Sequence, residues 1–144
     1  MEIVVKLLNT DDIDFLPSRH YRDNAGADLR ARINTNLWIE PGQTKKIPLG
    51  VAMAIPCGYV GDVRPRSGAT LESKVAMYGT IDSNYRGEVH AILLNTSKSD
   101  VLIKPKERIA QIVILPCPPV EFKPVKQLGT TDRGENGFGS SGVE

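Results

Sequence analysis

Excess charge is the first thing this sequence lacks. Its lysines and arginines number 18 against 17 aspartates and glutamates, a formal net charge of +1. So balanced a chain offers neither the basic surface that coats nucleic acid nor an acidic tail. Long apolar runs are absent as well, and nothing approaches the roughly 20 residues of a membrane span. The opening MEIVVKLLNT has none of the basic, apolar and small-residue succession of a signal peptide. Cysteine is scarce: Cys57 and Cys117 stand alone, neither with a second cysteine at metal or redox spacing. One disulfide between them is open, but without an export signal two reduced thiols are expected. These absences describe a soluble, cytoplasmic protein.

Helical periodicity is missing too, and 10 scattered prolines forbid long helices. What is there is strand-like. Apolar or alternating runs occur at IVVKLL, ADLRARI, TKKIPLGVAMAI, YVGDVR, EVHAILL and RIAQIVIL, parted by the turn sequences EPGQ, IPCGY, NYRG, NTSKSD and KPKE. Many short strands with frequent turns imply an all-β antiparallel sandwich or barrel. Only SGATLESK, residues 67–74, suits a short helix, with Ser67 as its N-cap. At this length a single domain is expected. Past Lys126 apolar residues thin out and glycine takes over, so residues 1–128 form the expected β domain and 129–144 a mobile glycine-rich arm.

The chemistry begins in that arm. TDRGENGFGSSG carries an arginine and a phenylalanine among glycines, which a plain solvated linker has no reason to hold. GFGSSG matches G-x-G-x-x-G, but no helix follows it, and a Walker loop would need a lysine after its glycine. What remains is a backbone able to curl around an anion, Arg133 beside it, and Phe138 as a flat face for a base. VRPRSGATL places Arg66, Ser67 and Gly68 at a helix start, where a guanidinium, a hydroxyl and free N–H groups suit a phosphate; an ordinary cap is the plainer reading. In YGTIDSNYRGEV, Asp82 leaves a strand end and can orient a water, with Tyr85 near enough to cover a sugar; both also suit a simple turn. Asp28 in AGADLRA could hold a metal's water shell, an arginine or only a turn. Gln111 is the one uncharged polar residue in a core strand, so it reaches a ligand or bonds a neighbouring backbone.

Taken in order, AGADLRA, RPRSG, GTIDSNYRGEV, ERIAQIVI and RGENGFGSSG resemble the five sequence motifs of the homotrimeric dUTPases (deoxyuridine triphosphate nucleotidohydrolases), from about Asn24 to Gly142. The resemblance implies a jelly-roll-like fold and a homotrimer with shared active sites. It implies hydrolysis of dUTP to dUMP and pyrophosphate, which limits uracil incorporation into DNA and supplies dUMP. Attack falls on the α-phosphorus, assisted by Mg²⁺. On this resemblance Asp82 orients and activates the water, and Tyr85 packs on deoxyribose and rejects a ribose. The backbone of Gly79, Thr80 and Ile81 reads uracil. Arg66, Ser67, Gly68 and Gln111 contact phosphates, and Asp28 holds the phosphate-bound Mg²⁺ through water. Arg133, Gly139 and Ser140 belong to an arm that grips the terminal phosphate, with Phe138 stacked on uracil. Phosphoryl transfer asks for this kind of set: positioning, charge neutralisation and one carboxylate for the water.

The chain departs from the family pattern in places. Asn84 stands where an acid is common, Arg64 where a small residue is, Asn136 where glycine is, and Ala76 in place of an asparagine near uracil. Ten residues part PRSG from GTID, a short link. A dCTP deaminase of the same fold, using Glu88 as acid and base, is one alternative. A non-catalytic nucleotide-binding regulator and a promiscuous pyrophosphatase are the others.

Overall fold

The computed structural model describes residues 1–9 and 11–137. It is nearly all β. Eleven strands run in the order β1 (Val4–Leu7), β2 (Ala27–Arg30), β3 (Leu37–Ile39), β4 (Thr44–Pro48), β5 (Val51–Ala54), β6 (Tyr59–Arg64), β7 (Lys74–Ala76), β8 (Gly79–Ile81), β9 (His90–Asn95), β10 (Val101–Ile103) and β11 (Arg108–Pro116). Among the described residues one α-helix, α1 (Ser67–Leu71), falls between β6 and β7, and a single 3-10 turn spans Ile13–Phe15. The described strands pair antiparallel in four small sheets: β1 with β5, β10 with β3, β4-β9-β7, and β2-β11-β6-β8.

Five of the six strand-like runs each hold a single strand. TKKIPLGVAMAI holds two, β4 and β5, because Gly50 turns the chain at φ +72°, a conformation that costs glycine little. The strands β3, β7 and β10 escaped the sequence reading, and β8 showed only as the strand end before Asp82, since three-residue strands leave no room for a period-2 pattern. Alternation is clearest in β9, where Ala91, Leu93 and Asn95 turn inward and Ile92 stays half exposed. In β11, between β2 and β6, Ile109, Ala110, Ile112 and Val113 are all buried and the alternation disappears. Leu29, Ile39, Ile47, Leu49, Leu93, Ile103 and Ile109 fill the core at 0% exposure. Asn95 is the buried polar side chain among the described residues. Its Nδ2 donates to the carbonyls of Ile39 and Ser99, both at 2.8 Å, and its Oδ1 accepts from the Ser97 N–H and hydroxyl.

The helix differs from expectation. Ser67 is its first residue, not its cap; Arg66 takes the cap position with extended backbone (φ −97°, ψ 133°) and makes no side-chain capping bond. The helix also stops at Leu71, because Ser73 turns left-handed (φ 63°) and Lys74 enters β7. Beyond Pro116 the described chain, to Gly137, has neither helix nor strand and is exposed throughout. It includes Phe122 at 92% exposure, so the exposed segment begins well before the expected arm. Among the described residues no helix is long and apolar enough to cross a membrane.

Candidate functional site

The central four-stranded sheet distributes the candidate residues. Asp28 and Gln111 face each other across β2 and β11, and Gln111 also pairs with Arg64 of β6. The Gln111 amide donates to the Pro65 carbonyl at 2.8 Å, just before Arg66. A Cβ on Gly26 would meet the end of the Gln111 side chain and displace its amide. Asp28 takes two guanidinium groups. Arg66 Nε donates to one oxygen at 2.6 Å and its Nη2 to the other at 3.3 Å, while Arg108 Nη1 reaches the second at 3.1 Å. Arg66 Nη1 completes the arrangement by donating to the Arg108 carbonyl at 3.0 Å. Two cations on one carboxylate leave a net positive wall.

That wall lines a cavity of about 440 Å³. It gathers five of the expected residues, Asp28, Arg66, Ser67, Gly68 and Gln111, together with Arg108, Ser18, His20 and Asn24. The last four went unnoticed in the sequence. Arg108 stood inside ERIAQIVI three residues before Gln111, and could have been read from that nearness. The loop at 18–24 carries no pattern that would single it out. Cationic forks beside exposed backbone donors suit an oligophosphate.

The remaining residues lie elsewhere. Gly79–Ile81 form β8 at the opposite edge of the sheet from Asp28, about 14 Å away at the usual strand spacing. Asp82 follows, and a turn closes with the Tyr85 N–H donating to its carbonyl at 3.1 Å. Asp82 is exposed, and among the described residues its carboxylate has no ion-pair partner. It borders two hollows, one of about 260 Å³ with Thr80, Ile81, Tyr85, Glu88 and His90, and another of about 500 Å³. Neither shares a residue with the arginine-lined cavity. Arg133 is exposed, its Nε donating to the Asn136 carbonyl at 3.0 Å, far along the segment after β11. Phe138, Gly139 and Ser140 lie outside the described residues.

These two half-sites can be set beside known proteins. A dUTPase family model matches residues 14–142. The chain belongs to the dUTPase family. It is 40% identical over 143 residues to the deoxyuridine 5'-triphosphate nucleotidohydrolase of Syntrophotalea carbinolica, covering 97% of each. Its fold superimposes on the dUTPase of Staphylococcus bacteriophage 80alpha, solved with dUpNHpp, at TM-score 0.84 and 32% identity over 99% of each chain. A variant dUTPase of phage phi11 of S. aureus, for which coordination of a structural Mg(II) ion is described, matches at TM-score 0.80 and 25% identity, over 90% of this chain and all of that one.

Within this dUTPase fold the Asp82–Tyr85 turn hangs on Glu88, a residue considered beforehand only for the deaminase alternative. Its carboxylate accepts from Arg32 Nε at 3.1 Å, Arg32 Nη2 at 3.4 Å and the Gly50 N–H at 2.9 Å. Its carbonyl accepts the Tyr85 hydroxyl at 3.0 Å. The Tyr85 ring folds over Gly87, where a Cβ would come within 2.5 Å of Cζ. Burial pushes the Glu88 carboxyl up, but Arg32, the Gly50 N–H and nearby His90 together hold it below the ordinary value of 4.5. A carboxylate held ionised and capped on both oxygens is poorly suited to shuttle protons.

A carboxyl lowered on folding stabilises fully above its unfolded value and loses that effect as pH falls through the folded one. Glu88→Gln is therefore expected to cost about 1–3 kcal/mol at pH 7. In urea unfolding the gap to the parent should shrink as pH falls below 4.5. A gap that stays constant with pH would show that the carboxylate's charge plays no part.

Proposed function

We propose that this protein hydrolyses dUTP to dUMP and pyrophosphate at a site completed by different copies of the chain in a homotrimer. Supporting this reading is the division of the motif residues into two half-sites that share no lining residue, one cationic and one carrying a free carboxylate. In this mechanism the phosphates occupy the cavity of Arg66 and Arg108, with Ser67, Gly68 and Gln111 as further donors. The 79–81 backbone pairs with the uracil edge, and Tyr85 closes on the deoxyribose, leaving no room for a 2′-hydroxyl. Asp82 accepts the proton of the water that attacks the α-phosphorus, and pyrophosphate leaves. Before attack Arg133 adds charge from the arm, and closure excludes bulk water only once substrate is bound.

The residues fit Mg²⁺ only at a distance. Both Asp28 oxygens are occupied by arginines, so it would hold the ion through bound waters. No cluster of three or more ligating side chains exists among the described residues. That suits a hydrated ion carried by the phosphates, the usual habit of Mg²⁺. When bound, it neutralises charge on the triphosphate.

The test offers dUTP, dCTP, dTTP and UTP with Mg²⁺ and identifies the products. Pyrophosphate from dUTP alone is expected. Ammonia from dCTP would establish the deaminase, release from all four the promiscuous enzyme, and no turnover the regulator.

Sharing of the site has its own experiment. Asp82→Asn and Arg66→Gln proteins, each inactive, are reassembled in equal amounts. If one copy supplies Asp82 and another Arg66, random mixing restores about a quarter of the sites. Recovery of no activity would place both residues in one chain's site.

A further inference from the structure

Neither half-site uses a thiol, yet both cysteines sit beside one of them. We propose that Cys57 and Cys117 form a reversible intrachain disulfide that ties down the root of the C-terminal segment. Cys57 is the second residue of a turn closed by the Tyr59 N–H to the Pro56 carbonyl at 3.2 Å, with Gly58 at φ +82°. The β6–β11 ladder pairs Tyr59 with Pro116, and the Cys117 N–H extends it by donating to the Gly58 carbonyl at 2.7 Å. Cys117 thus stands opposite a glycine whose missing side chain leaves open space, with nothing within 4 Å. Cys57 is the next residue along. Cys57 lies in the turn and not in the ladder, so strand alternation does not send its side chain to the face opposite Cys117, and both line one hollow. A disulfide requires their Cα atoms within about 7 Å.

Both thiols are free and exposed. They line the same hollow of about 500 Å³, which Asp82, Ser83, Pro118 and Val120 also border. The oxidant is a low-molecular-weight disulfide such as oxidised glutathione. One cysteine thiolate attacks it, forming a mixed disulfide and expelling a first glutathione thiolate. The second cysteine attacks that mixed disulfide and expels another. Two protein thiols lose two electrons and two protons, and the oxidant becomes two thiols. The bond fastens the β5–β6 turn to the point where residues 117–137 leave the sheet. The effect on catalysis rests on the reading of Arg133 as an arm residue; the bond itself does not.

The full-length protein is incubated with oxidised glutathione, blocked with iodoacetamide and weighed. A loss of about 2 Da with no alkylation is expected, together with one peptide joining Cys57 to Cys117 and reversal by dithiothreitol. Cys57→Ser and Cys117→Ser should each instead carry one glutathione. The cross-linked protein is expected to lose several-fold in kcat/KM for dUTP, regained on reduction. Glutathione on both cysteines of the parent, or bonds only between chains, overturns the pairing. Complete cross-linking with unchanged kcat/KM overturns the control of the arm, while a reduced parent that never turns over dUTP fails the catalytic reading instead.

Discussion

Replacing Asp82 with asparagine is expected to remove turnover of dUTP, by at least about 10²- to 10⁴-fold in kcat, and to leave nucleotide binding in place. The amide keeps the shape of the side chain but cannot take a proton from water. Nothing else is lost with the charge, because the carboxylate is exposed and, among the described residues, supports no ion pair. The contrast with Asp28 is instructive. Its carboxylate anchors two arginines, so its removal would free the guanidiniums proposed to hold the phosphates and confuse binding with chemistry. Product release measured beside calorimetric titration with a non-hydrolysable analogue separates the two quantities. Turnover unchanged by Asp82→Asn would strip this residue of its assigned part.

A chain ending at Asp132 is the second case. Activity is expected to fall by about 10²-fold or more, the scale of losing a charged group that acts on the transition state. Stability is expected to hold, with a midpoint shift no larger than about 2 °C. The described residues of the removed stretch, 133–137, are exposed, and Arg133 bonds only within its own turn. No core contact goes with them. A collapse of the thermal midpoint would make this stretch structural, and full activity would show that catalysis needs nothing past residue 132.

How far the sequence could be read differs by element. YVGDVR, with its alternation intact, is β6 to the residue. RIAQIVIL is β11, extended by one. The strand β7 was invisible and β8 showed only as the strand end before Asp82, since each draws its existence from hydrogen bonds to a neighbour, β9 or β6, rather than from any pattern of its own. The helix was placed but its cap was not. A serine before glycine predicts a cap by local chemistry, whereas Arg66 takes the position because its side chain is pulled across to Asp28, 38 positions earlier. Gln111 had two open fates, ligand or backbone. The structure shows the backbone bond, its amide on the Pro65 carbonyl, and places the same side chain on the cavity wall, where contact with a ligand is part of the proposal.

The order of residues alone determined the β class, the single short helix and the succession of five motifs, because each of these is written in contiguous runs whose spacing or turn chemistry acts locally. Tertiary structure alone decided that Arg66 and Arg108 share Asp28, that Glu88 carries the Asp82–Tyr85 turn, that two thiols distant in sequence line one hollow, and that Arg66 and Gln111 lie in a different hollow from Asp82 and Tyr85. Apart from the local Tyr85–Glu88 bond, these arrangements join segments far apart in the chain, and their side-by-side placement comes from burial of the common core, which no short stretch encodes.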